Sequence, residues 1–214
     1  MRFCTDACRP VRVVAMSHRL IIMPSSPALV PELAPADAAG RKLRRALEQL
    51  LIGDTIIDLV GSRDQRWYTA HAGSFAAWGA PQVRVGGGHY LAELVPRSVL
   101  GPHARVRETR DCLEPVAADA TTVLAIDGSA GLTERAPLSL LETAADTDRW
   151  CRALLAGEEG AFRHADELLA GGIVEPDLWI QLHKLLTSSD WSCRLVAADT
   201  TLGVGRYVAV AERA

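Results

Sequence analysis

Residues 123–137 read VLAIDGSAGLTERAP, and the reading of this stretch decides the fold. An apolar run, Val123–Ile126, ends in a polar, glycine-punctuated turn that carries Asp127, Ser129 and Glu134. A buried strand that stops in such a turn belongs to an open α/β sheet, where ligands collect beyond the carboxyl ends of the strands. Asp127 and Glu134 lie in one loop and could share a pocket, with one carboxyl pushed toward a raised pKa. In the plainer account Asp127 caps a turn, and Glu134 pairs with Arg135 or with solvent.

Working outward from this stretch, further strands and helices alternate along the chain. Arg19–Met23 (RLIIM) is a short apolar run stopped by Pro24-Ser25-Ser26-Pro27, so it is predicted as a strand that ends abruptly. Residues 24–35 contain four prolines and read as an ordered loop, after which Asp37 can cap a helix. In that helix Leu43, Leu47, Leu50 and Leu51 recur at helical spacing and form one buried stripe, which Gly53 ends. Residues 55–61 (TIIDLVG) are continuous enough to lie inside a sheet and run into the polar turn Ser62-Arg63-Asp64-Gln65.

The stretch 66–80 has no period and is predicted to be a long loop. A short strand over Pro81–Val85 follows, then a helix carrying Leu91, Leu94, Val95 and Val99, kinked or started at Pro96. Arg105–Thr109 reads as an edge strand. Beyond residue 146 the chain is mostly helical, with stripes at Trp150/Leu154/Leu155 and Phe162/Leu168/Leu169. A third helix opens on Pro176. Ser192–Ala197 and Val204–Ala211 close the chain as strands. This order predicts an α/β fold, a central mostly parallel sheet flanked by helices.

The chain has 214 residues, 49% of them hydrophobic and 23% charged, which fits one domain with a sizeable core. A net charge of -3 gives no reason to expect nucleic acid. The cluster Arg41, Lys42, Arg44 and Arg45 shares a helix with Leu43 and Leu47 and reads as its solvated face. Five cysteines without a CxxC pair make neither a disulfide framework nor a zinc site, so a reducing, cytoplasmic compartment is the simplest expectation. No apolar run approaches the roughly 18–20 residues that cross a bilayer, and no membrane role is expected. Nor does the N-terminus carry the apolar core of a signal peptide. Met16 directly precedes the first recognisable element. Residues 1–15 are therefore expected to be a mobile N-terminal extension, and residues 16–214 a single domain.

Several reactive patterns are excluded by their spacing. Gly86-Gly87-Gly88 fits neither G-x-G-x-x-G nor G-x-x-x-x-G-K-[ST], so a tight strand-to-helix turn explains it better than a phosphate loop. Asp127 stands where a G-x-S-x-G nucleophile turn around Ser129 would need a small residue. Six histidines make no H-E-x-x-H or H-x-H pair. His164 and His183 lie on helices and read as partly exposed or core-edge residues. His71 and His89 follow strands in glycine-containing turns and are the better candidates for a metal ligand or proton shuttle.

Taken in order, residues 23–35 (MPSSPALVPELAP), 56–65 (IIDLVGSRDQ), 72–79 (AGSFAAWG), 125–137 (AIDGSAGLTERAP) and 201–210 (TLGVGRYVAV) resemble the catalytic, subunit-B-type domain of class III extradiol ring-cleavage dioxygenases. The small actinobacterial members are the most similar. The resemblance implies an α/β fold with its cavity at strand ends, and it implies dimers, which that family often forms. It also implies opening of catechol-type rings with O₂ on a non-haem Fe(II), held by two histidines and a glutamate in a facial arrangement with open positions.

The sequence departs from that pattern where the iron should bind. A turn like M-P-H-P-P is replaced by Met23-Pro24-Ser25-Ser26-Pro27, and a D-H pair by Asp64-Gln65. A stretch like S-G-G-L-S-H, with a proton-carrying histidine, is replaced by residues 129–134, which end in Glu134. Serine and glutamine are neutral oxygen donors of low basicity and hold Fe(II) poorly. The resemblance therefore implies a homologue without the standard iron site, which binds a small hydrogen-bonding or cationic molecule and needs no metal. Its ligand-binding candidates are Ser25, Ser26, Asp64, Gln65, Asp127, Ser129 and Glu134, and its catalytic candidates are Glu134, His71 and His89. One alternative is an active dioxygenase with Fe(II) on a site rearranged around His71 and His89. Another is a hydrolase or transferase using Asp127, Ser129 and Glu134.

Overall fold

The structure is a computed structural model that describes residues 18–213 apart from residues 55, 102, 159 and 189. The expected N-terminal extension, Met16, Cys4, Cys8 and the first residue of the predicted second strand, Thr55, lie outside the described residues. The elements run β1 (His18–Met23), α1 (Ala38–Leu50), β2 (Ile56–Gly61), β3 (Ser74–Phe75), β4 (Ala80–Arg84), α2 (Leu91–Val99) and β5 (Arg105–Arg110). They continue with β6 (Thr121–Ala125), α3 (Ala144–Leu155), α4 (Ala165–Ala170), α5 (Pro176–Leu186), β7 (Ser192–Asp199) and β8 (Arg206–Arg213).

Six strands form one sheet in the order β5-β2-β6-β1-β8-β7. β5, β2, β6 and β1 are parallel neighbours, whereas β8 pairs antiparallel with β1 and β7 antiparallel with β8. This is an α/β fold on a mixed, mostly parallel sheet. The central parallel strands β1, β2 and β6 are largely apolar and buried because both of their faces are covered, whereas the edge strand β5 (RVRETR) is charged and largely exposed. Within β1, Leu20 and Ile22 join a core with Trp150, Leu154, Trp179 and Leu182 of α3 and α5. Ile21 and Met23 join a second core with Leu43 and Leu47 of α1 and Leu91, Leu94 and Val95 of α2. Alternate strand residues point to opposite faces, so helices cover the sheet on both sides.

Strand β6 sits between β1 and β2 and fills a place that the first crossover skips. Its last residue, Ala125, pairs with Met23 on one side and Gly61 on the other. The segments leaving all three strands therefore emerge together, and this register positions the candidate site.

Local signals fixed several boundaries. Asp37 accepts a hydrogen bond from the Gly40 amide at 2.9 Å and caps α1, as its position before the helix predicts. Pro176 occupies the first turn of α5, where the N–H it lacks has no helical partner. Other expectations need revision. Residues 66–80 are no plain loop: they hold the end of a 3-10 turn at Gln65–Trp67, another at Ala76–Trp78, and β3, which pairs with β4. α2 starts at Leu91 with Pro96 inside it, and Phe162 lies outside α4. Among the described residues no helix is long and apolar enough to cross a membrane.

Candidate functional site

A cavity of about 520 Å³ opens at the carboxyl ends of β1, β2 and β6, a volume ordinary for a small-molecule site. Its walls are mostly carbon, with Leu91, Ile126, Leu138, Val174 and Leu178 among the lining residues, and its polar members include Ser25, Asp127, Arg66 and Glu175.

Two close approaches shape it. A Cβ on Gly61 would lie 2.4 Å from the Ala92 Cβ, so only glycine lets the start of α2 pack onto the end of β2 and bring Leu91 and Ala92 to the wall. A Cβ on Gly128 would lie 2.5 Å from the Tyr207 hydroxyl oxygen, so glycine lets the turn after β6 lie against that ring. The same turn is held by its main chain. Gly128 N–H donates to the Gly205 carbonyl at 2.7 Å, Gly205 N–H to Ser129 at 2.8 Å and Ala130 N–H to Gly172 at 2.8 Å. The Trp179 indole N–H donates to the Asp127 carbonyl at 2.8 Å.

On that frame Asp127 is one of the residues that line the cavity. Ser25 Oγ donates to its Oδ2 at 2.6 Å, whereas Oδ1 is covered and accepts no hydrogen bond. Burial pushes the carboxyl up to about 6. The Ser25 hydroxyl, the neighbouring Ser26 amide, the charge of Arg206 and the Ser25 amide pull the other way. The amides do so without reaching full hydrogen-bond geometry. At neutral pH the site therefore holds a desolvated carboxylate with unused acceptor capacity.

The mouth is built from chain segments far apart in sequence. Asp64 caps the 3-10 turn after β2 by accepting the Arg66 amide at 2.8 Å, and it also binds the Arg66 guanidinium. Arg66 reaches Glu175, just before α5, at 3.2 Å, and the Trp67 indole N–H donates to the same carboxylate at 3.0 Å.

The candidates read from the sequence divide by placement. Ser25, Ser26 and Asp127 line the cavity. Asp64 lies just outside it and braces Arg66, while Gln65 is exposed and does not line it. Ser129 is fully buried, but its Oγ accepts the Gly131 amide at 3.2 Å and packs against Gly172, away from the lining. Glu134 is exposed on the surface and also outside the lining. The shared pocket considered for Asp127 and Glu134 is therefore not formed. His71 is exposed, and His89 stacks on Tyr68 with its Nδ1 3.0 Å from the Thr69 carbonyl; neither lines the cavity. His183 is buried and stacked on Trp150. Arg66, Trp67 and Glu175 went unnoticed in the sequence, where no spacing links residues 108 positions apart.

An Fe(II) site of two imidazoles and a carboxylate does not fit these residues. Among the described residues the cavity offers hydroxyls and two carboxylates, Asp127 and Glu175, but no imidazole. Among the described residues no three His, Cys, Asp or Glu side chains are grouped so that they could hold a metal ion. Compared with known proteins, the chain matches no protein-family model and no curated protein.

Proposed function

We propose that this protein is a small-molecule-binding relative of the class III extradiol dioxygenases that uses their strand-end cavity without the iron. The observation that carries this reading is the buried Asp127 carboxylate, half satisfied by Ser25, in a cavity with carbon walls. Apolar walls supply affinity through burial, and a few placed polar groups orient the ligand. The ordered resemblance of five sequence stretches supports the kinship, and the serine and glutamine at the ligand positions support the loss of iron. The free thiols Cys112, Cys151 and Cys193 suit the reducing, cytoplasmic compartment included in this reading.

The test is reconstitution of the purified full chain with Fe(II), followed by O₂ uptake with catechols and by titration of tryptophan fluorescence with small aromatic compounds. Saturable binding without O₂ uptake is expected. Catechol-dependent O₂ uptake would instead establish the rearranged iron site. Hydrolysis lost on Ser129→Ala and Glu134→Gln would establish the hydrolase.

A further inference from the structure

We propose that the ligand of this cavity is a primary amine on an apolar, ring-sized body, bound as its ammonium with the nitrogen seated on the Asp127 carboxylate. The inference rests on the cavity being a binding site and goes further by assigning the charge of its ligand.

The charge inventory of the lining carries it. Among the described residues three with ionisable side chains border the cavity: Asp127, Arg66 and Glu175. Arg66 is committed at the mouth, bonded to both Asp64 and Glu175. Both nearby indole donors are taken, Trp67 by Glu175 and Trp179 by the Asp127 main-chain carbonyl. The one side-chain donor that reaches the Asp127 carboxylate is the Ser25 hydroxyl, with the Ser25 and Ser26 amides and the charge of Arg206 nearby and Oδ1 left without a hydrogen bond. A carboxylate offers about four acceptor positions, so most of its capacity is unspent. A buried charge without a partner is costly, and the group that relieves the cost best brings opposite charge and several donors together. An ammonium has three donors and a full positive charge. A neutral alcohol has one donor and leaves the charge in place. An acid would set a second negative charge beside Asp127 with no free cation in the lining. Burial lifts the Asp127 pKa only to about 6, so the carboxylate stays ionised at pH 7.5, where an alkylamine is protonated. The rest of the ligand meets Leu91, Ile126, Leu138, Val174 and Leu178, which calls for a compact apolar body.

Three probes of nearly the same shape separate the possibilities: 2-phenylethylamine, 2-phenylethanol and 3-phenylpropanoate, titrated into the full chain at pH 7.5 by calorimetry and tryptophan fluorescence. The amine is expected to bind at least tenfold more tightly than the alcohol, and the acid more weakly than either. In Asp127→Asn the amine should fall to the affinity of the alcohol, while the alcohol changes less than threefold. Glu175→Gln should keep the amine preference, which separates the floor carboxylate from the one at the mouth. An alcohol that binds as tightly as the amine, or an acid that binds best, would overturn the charge assignment and leave the binding cavity standing. An amine preference that survives in Asp127→Asn would overturn the assignment to Asp127. Failure of all three probes to bind at millimolar concentration would overturn both this inference and the reading beneath it. The wild-type series decides the matter even if a variant fails to fold.

Discussion

Arg206 and Asp127 are both ionised side chains removed from water near the ends of β8 and β6, the two strands that flank β1, and the fold treats them in opposite ways. Arg206 is fully buried on β8, where Asp37 of the α1 cap receives it at 2.5 Å and Asp199 of β7 at 3.1 Å. Burial works against its charge, but those two partners win and hold its pKa above the ordinary value. Asp58, buried in β2, is treated likewise, with Arg107 of β5 donating to it twice. Asp127 has a hydroxyl and an orphaned oxygen. Closed charge networks hold elements together; an open one waits for something that is not part of the chain.

The contrast can be broken most forcefully at Arg206. Arg206→Met leaves Asp37 and Asp199 buried without their cation and should cost about 3–5 kcal/mol, read as a fall in the urea midpoint. Asp127→Asn should do the reverse. The folded pKa of Asp127 is raised to about 6, so the stability this group confers at low pH is lost as pH rises through that value. The charged group acting on it is Arg206 from β8. At pH 7.5 the variant should be more stable than wild type by on the order of 3 kcal/mol. The gain should fade as pH falls from 6 toward 4, where the wild-type carboxyl is protonated. Thermal melts of both proteins across that range check the sign, and a variant less stable than wild type at pH 7.5 would remove the contrast.

Smaller effects sharpen it. Gly128→Ala drives a Cβ to 2.5 Å from the Tyr207 hydroxyl oxygen. It should cost about 1–3 kcal/mol in a denaturation curve, with weaker amine binding as the turn shifts. Trp67→Phe removes the bond to Glu175 across the mouth and keeps a smaller ring beneath the Arg66 guanidinium. Stability should barely move, while stopped-flow fluorescence should show the amine leaving roughly fivefold faster, the equivalent of about 1 kcal/mol.

What could be read from the sequence was what depends on near neighbours. The Asp37 cap, the Leu43/Leu47 stripe and the apolar runs of β1, β2 and β6 are set by contacts within a few residues and by two-sided burial. The insertion of β6 between β1 and β2 is a pairing across about a hundred residues, and no local pattern encodes it. The site divides the same way. Ser25, Ser26 and Asp127 follow strands that end side by side, so their meeting follows from the fold class. Ser129 shares the Asp127 turn, yet Gly172 and the Gly131 amide take its side chain inward. His71 and His89 also follow strands, but the β3–β4 excursion leaves them outside the cavity. The mouth depends on Trp67 meeting Glu175, a contact made only after the whole sheet has closed.

The turn after β6 is fastened through main-chain groups: Ile126 to Met23, Gly128 and Ser129 to Gly205, Ala130 to Gly172, and Leu132 to Gly203. Peptide groups are common to every residue, so this anchorage is largely indifferent to which side chains the turn carries. The cavity is thus a socket whose contacts can be rewired without rebuilding the housing. Exchanging residues 25, 127 and 175 should retune the charge and hydrogen bonding of the guest while the surrounding backbone keeps its place.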